Sequence, residues 1–298
     1  MKPMKPMLAW LCVPMVLALA ACSGSPSSAT PQQYEVKLDK AVVKTDYQVP
    51  AQADLAEHEN KELIVYGGRL LNETKRLLPN NVGASMNCNS CHIANGKEQK
   101  GAPYINSYNS YPKKMPRAGK MVDLEMRING CFQRSMNGKP LDVNSKEMKA
   151  MVAYMAWLSE GLPKKANIQM DAGGKIDESL VPNPERGKLL YSQQCATCHG
   201  DNGQGLKDAR GDNVFPPLWG DESFNIGAGM ARTYKAAAFI RDNMPMSVQK
   251  DGAWGQGGVL SDQDAVDIAE YFTHQPRPDF AGKVKDWPEG KKPKDARY

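Results

Sequence analysis

The spacing of apolar positions shows one plan used twice along the chain. Leu63, Tyr66, Gly67, Leu70 and Leu71 recur at i, i+3, i+4, i+7 and i+8, which predicts an amphipathic helix. A loop rich in Gly, Asn, Tyr and Pro follows. A closing helix then starts at Ser145 as N-cap and presents Met148, Met151, Val152, Met155 and Leu158 on one face. In the second half, Asn183-Pro184 sets a capping side chain and a proline at a helix start. A loop with Phe215-Pro216-Pro217-Leu218-Trp219 leads to a helix near Met230 to Asp242. The last helix opens on Ser261-Asp262-Gln263-Asp264, a variant of the capping box, and buries Ala265, Ile268, Ala269 and Phe272. The pattern predicts a mainly α protein built from two diverged copies of one domain, residues 56–162 and 183–278. The aperiodic stretch 163–182, carrying Lys, Gly and Asp, reads as the linker. The methionine stripe reads as core, because methionine fills irregular gaps well.

The ends of the chain follow other rules. Lys2 and Lys5 precede a short apolar run from Met7 to Ala21, which reads as an export signal. The run is too short to span a membrane in the mature protein. It ends Leu19-Ala20-Ala21-Cys22 and resembles a bacterial lipoprotein signal. That likeness implies removal of residues 1–21, a lipid on Cys22 and a periplasmic, membrane-tethered protein. Residues 22–55 open Ser-Gly-Ser-Pro-Ser-Ser and lack helical periodicity, which predicts a flexible tether. Residues 279–298 form a Lys/Arg-rich tail, read as a solvated extension. Hydrophobic content of 41% suits globular cores. The net charge of +5 falls further when Lys2 and Lys5 leave with the signal, so charge gives no support for a nucleic-acid partner.

Chemistry enters with the seven cysteines. Four lie in two copies of one motif, Cys88-Asn-Ser-Cys91-His92 and Cys195-Ala-Thr-Cys198-His199. Cys-x-x-Cys-His is the attachment site of c-type haem: two thiols reach one porphyrin edge while the imidazole reaches the iron. A zinc site would need four ligands close together, and the two cysteine pairs are far apart in sequence. A thioredoxin-like motif would sit in a βαβ pattern, and no strand-rich stretch surrounds either pair. Helix, haem motif, long loop and closing helix is the plan of a class I cytochrome c domain, here two in tandem. Haem attachment outside the cytoplasm agrees with the export signal.

The ligand opposite each histidine sets what each haem does. In the second half it is Met244, followed by Pro245 after a helix, with Met246 as the near alternative. The neutral thioether raises the potential and suits an electron exit. In the first half the duplication does not choose. Projecting Met244 back lands on Asn137, between Cys131 and Met136, and Met115 is a third candidate. Met136 would make a plain dihaem electron carrier, and Cys131 a thiolate-ligated, catalytic haem. Two points favour Cys131. It is the thiol left without a role in an oxidising compartment. Its sequence neighbours Arg117, Lys120, Arg127 and Arg134 are cations that stabilise a thiolate and collect anions.

The stretch Arg127-Ile-Asn-Gly-Cys131-Phe-Gln-Arg-Ser135-Met-Asn-Gly-Lys-Pro-Leu141, together with the two haem motifs, resembles the dihaem thiosulfate dehydrogenases. The likeness runs over roughly residues 63–278 and takes in the Tyr-Pro stretch ending at Arg117 and the closing segment Tyr271 to Pro278. It implies an oxidoreductase that couples thiosulfate into tetrathionate, with His92 and Cys131 on the catalytic haem. It also implies His199 and Met244 on an electron-transfer haem that serves an external redox partner. Arg117, Arg127 and Ser135 fall on positions that line the family's thiosulfate pocket. Some members carry a lysine before the methionine that binds the second iron. Asn243 stands there in this chain, which implies a fixed His/Met pair. Sulfur-oxidising cytochromes that conjugate thiosulfate to a carrier-protein cysteine are the alternative within enzymes.

Overall fold

The structure, a computed structural model, describes residues 34–38, 41–164, 167–169, 175–250, 253–254 and 257–298. The expected signal 1–21 and Cys22 lie outside the described residues. Among the described residues no helix is long and apolar enough to cross a membrane.

The first half is built on α1 (Lys61–Asn72), α2 (Leu124–Arg134) and α3 (Lys146–Trp157). Each predicted cap is in place: the Ser145 side chain accepts from Met148 N–H and so satisfies a first-turn donor. Met148, Met151, Met155 and Leu158 are buried, as the apolar spacing requires. Gly67 is where α1 crosses α3, since a Cβ there would overlap the Ala150 carbonyl. The second half repeats the arrangement with α4 (Pro184–Gln194), α5 (Thr233–Asn243) and α6 (Asp262–Thr273). Asn183 and Ser261 cap α4 and α6, the latter as a full capping box. Gly187 stands in the role of Gly67, because a Cβ on it would overlap the Asp267 carbonyl of α6.

The helix α2 is absent from the hydrophobic reading above, although its signals are present. Asp123 accepts from Met126 N–H as N-cap, and Leu124, Ile128 and Phe132 recur every fourth position and are buried. Ahead of α2, a hairpin pairs Lys113–Met115 with Lys120–Val122 and carries Arg117 in its turn.

Two expectations are corrected. In the segment expected to be a flexible tether, the described residues 34–38 and 41–55 are folded. Strands β1 (Tyr34–Leu38) and β2 (Ala41–Thr45) pair antiparallel, and β3 (Asn167–Gln169), from the linker, adds to the other edge of β1. The cause is aromatic anchoring: Tyr34 and Tyr47 are buried edge to face, and the Tyr47 hydroxyl donates to the Leu158 carbonyl at 2.7 Å. The basic tail is also docked. Asp286, with its side chain 4% exposed, accepts two hydrogen bonds from the Arg134 guanidinium at 2.7 and 2.9 Å. Trp287 is buried and donates its backbone N–H to the Arg117 carbonyl at 2.8 Å. Further along, Asp295 accepts from the Tyr234 N–H at 3.0 Å and the Lys294 ammonium sits over the Tyr234 ring, so acidic, aromatic and basic residues together decide where the tail lies.

Candidate active site

Each haem motif sits at the end of a short helical turn, and both histidines are oriented the same way. His199 Nδ1 lies 2.9 Å from the Pro216 carbonyl, and His92 Nδ1 hydrogen-bonds the Ala102 carbonyl. A carbonyl only accepts, so Nδ1 carries the proton and Nε2 is left as the ligand nitrogen. Tyr104 stacks on the His92 ring at 4.3 Å and fixes its plane.

The second motif opens on a cavity of about 590 Å³. Cys195, Cys198, His199 and Met244 line it among apolar side chains that include Phe239, Ile268 and Phe272. Thiols at one edge, an imidazole, a thioether and apolar walls are what a covalent haem requires, so these residues fit one. Met246 also reaches this cavity but is 41% exposed, whereas Met244 packs against the core at the end of α5.

The first motif shares a smaller cavity, about 60 Å³, with Cys131, Ser135 and Met136. That volume does not admit a porphyrin as it stands, and the fit here rests on the donor set: Cys88, Cys91, His92 and a facing thiol. Burial pushes the Cys88, Cys91 and Cys195 thiols up to about 12. Cys131 goes the other way. Burial acts to raise it, but the Arg127 guanidinium and His92 outweigh burial and bring it down to about 6. The contact is direct, with Arg127 Nη1 donating to Cys131 Sγ at 2.7 Å. Ser135 follows as the C-cap of α2, its backbone N–H on the Cys131 carbonyl.

Of the four cations expected around Cys131, Arg127 alone makes that contact. Arg134 is held by Asp286, and Lys120 is exposed on the hairpin. Arg117 donates to the Gly227 carbonyl at 2.6 Å, its Nε lies 3.9 Å from Asp286 and its guanidinium sits over Trp287. The structure thus brings Arg127, Cys131 and Ser135 together, and directs Arg117 to the second half and the tail. Met136 also lines the first cavity. Its backbone carbonyl takes the N–H groups of Gly83 and Ala84, which gives it a structural task.

The two sites are neighbours. Met86, Asn87 and Cys91 line both cavities, so the first motif is a wall of the second site. Sequence reasoning missed this adjacency, and no spacing along the chain encodes it.

Comparison with known proteins divides the chain at the same place. Residues 80–164 match the family described as SoxA/TsdA, cytochrome c domain, and residues 182–272 match cytochrome C oxidase, cbb3-type, subunit III. The thiosulfate dehydrogenase of Psychrobacter arcticus is 47% identical over 87% of this chain and 77% of its own length. That of Stutzerimonas stutzeri is 39% identical over 83% of this chain and 78% of its own. Among solved structures, thiosulfate dehydrogenase (TsdBA) from Marichromatium purpuratum superposes with a TM-score of 0.67 at 33% identity. The match covers 78% of this chain and 50% of that one.

Proposed function

The chain belongs to the dihaem thiosulfate dehydrogenase family and carries two covalent c-type haems, and on that footing we propose that it couples two thiosulfate ions into tetrathionate at Cys131. Cys88, Cys91 and His92 would hold the first haem, with Cys131 as a further donor from the same cavity. Cys195, Cys198 and His199 hold the second with Met244. When bound, each haem supplies one-electron redox chemistry, so two together accept the pair of electrons released and return them to an external acceptor.

The chain's own residues supply the rest. Arg127 keeps Cys131 anionic and offers its remaining N–H groups to a sulfonate, for which a planar guanidinium fork is well shaped. Ser135 donates a hydrogen bond beside it, and Arg117 adds positive charge at longer range. The thiolate of Cys131 bonds the outer sulfur of one thiosulfate, and two electrons leave. The product is a Cys–S–S–SO₃⁻ adduct. The outer sulfur of the second thiosulfate then attacks the adduct's outer sulfur. The Cys131–sulfur bond breaks, the thiolate is restored and tetrathionate departs without further change in electron count.

The observation that carries this reading is the Arg127–Cys131 contact facing His92 in the first cavity. Cys131→Gly should keep both haems and lose thiosulfate turnover with a soluble one-electron acceptor. Mass spectrometry of the wild-type protein treated with tetrathionate should show the adduct on Cys131. Retained turnover in Cys131→Gly would remove Cys131 from the reaction, and unmodified peptide alone would remove the covalent step. Turnover without any carrier protein separates this activity from thiosulfate conjugation. We also place the mature protein in the periplasm with a lipid on Cys22. A Cys22→Ser change should release it from the membrane fraction.

A further inference from the structure

Two dianions have to meet at Cys131 if the reading above holds, and the first half presents a single guanidinium in contact with the sulfur. The second half supplies more charge through α5. The loop that leads into that helix and the helix's far end are both anchored on the first half. In the loop, Asn225 Nδ2 donates to the Gln133 carbonyl at 2.8 Å and to Asn137 Oδ1 at 3.0 Å, where α2 ends. At its far end the buried Asn243 donates to the Lys100 carbonyl at 2.9 Å, two residues before the carbonyl that orients His92. The helix is therefore laid along the face where α2 meets the His92 loop.

Arg232 is the N-cap of α5, and Lys235 lies in its first turn, outside the buried row Ala236, Ala237, Ile240 and Asn243. Lys235 is exposed at the surface, yet partial desolvation by the protein around it and then repulsion from Arg232 and Arg127 lower it below the usual ammonium range. Lys113, on the hairpin, is lowered by burial and then by Arg127, and its Nζ sits over the Tyr111 ring at 4.5 Å. Four cations from both halves thus converge: Lys113, Arg127, Arg232 and Lys235. Among the described residues none of them pairs with a carboxylate, and Arg232 Nε is buried without a hydrogen-bond partner. Nearby cations behave differently, for Arg117 and Arg134 share Asp286. Like charges gathered without acids repel one another, and an anion between them relieves that repulsion.

We propose that Lys235 and Arg232 form a second anion site, contributed by the second half, that receives the sulfonate of the second thiosulfate while Arg127 holds the first at Cys131. The inference rests on the thiosulfate reading for the identity of the anion. An ammonium on a flexible stem suits an incoming and departing ion better than a rigid fork does.

The test uses the full-length holoprotein. Lys235 is exposed at the surface, so Lys235→Gln should fold with unchanged haem spectra. Its KM for thiosulfate should rise about tenfold, while kcat falls far less, as expected when a charge contact to the incoming anion is removed. Lys235→Arg should bring KM back close to the wild-type value, which a merely structural role would not require. Calorimetry of the oxidised protein with thiosulfate should show a weaker second binding event in Lys235→Gln. Binding and KM unchanged in that variant would overturn the anion site. A wild-type protein that binds thiosulfate in a Lys235-dependent way but never turns it over would leave the site standing and remove the thiosulfate dehydrogenase reading instead.

Discussion

Arg127 and Cys131 are one helical turn apart, and α2 places a guanidinium N–H 2.7 Å from the sulfur. The same turn directs Leu124, Ile128 and Phe132 into the core, so the pair is held by packing rather than by its own attraction. A hydrogen bond to a charged group contributes about 1.5–3 kcal/mol. Arg127→Gln should therefore lower kcat/KM for thiosulfate by roughly ten- to a hundredfold, with both haems retained. An unchanged kcat/KM would show that Cys131 needs no cation. Candidates that spacing left level are separated at this scale by surroundings. Cys131 faces His92 with a cation on it, whereas Met136 is tied by its carbonyl to Gly83 and Ala84.

At the scale of elements, each half is closed by one helix crossing at a glycine. Gly67 on α1 meets Ala150 of α3, and Gly187 on α4 meets Asp267 of α6. The duplication is thus visible in contacts as well as in pattern. Gly187→Ala puts a methyl into a backbone carbonyl and should destabilise the holoprotein by about 1–3 kcal/mol, the usual cost of overpacking. Chemical denaturation followed by haem absorbance reads this, and an unshifted midpoint would contradict the close crossing. The caps at Ser145, Asn183 and Ser261 were legible because a short polar side chain before an apolar period has one local meaning. The helix α2 carries equivalent signals in Asp123 and in its four-residue apolar spacing. Its polar surface and central Gly130 obscure them.

At the scale of the whole molecule, the second half and the tail build the surroundings of the first site. The loop before α5 binds the end of α2, and the tail clamps Arg134 through Asp286 and covers Arg117 with Trp287. Removing one partner of a largely buried ion pair leaves the other charge uncompensated. Asp286→Ala should cost about 2–4 kcal/mol of stability and expose the tail to limited proteolysis. A tail equally resistant in Asp286→Ala would show that Trp287 and the Asp295–Tyr234 contact hold it without Asp286. The shared wall of Met86, Asn87 and Cys91 belongs to this scale too, since it puts the two haem-motif cavities side by side.

The amino-acid sequence by itself determined what depends on neighbours along the chain. That covers the haem motifs, in which five consecutive positions hold all the attaching groups. It also covers the helices whose apolar period and caps agree, and the internal duplication. Tertiary structure alone decided what depends on groups distant in sequence. It directed Arg117 and Arg134 to Asp286 instead of Cys131, joined Tyr47 to the Leu158 carbonyl, and docked the tail through Asp286. It also brought Lys235 of one half within reach of the charge of Arg127 in the other. A charge has no period, and its partner is whichever opposite or like charge the packing brings within a few ångströms, so its role is written only when the two halves close on each other.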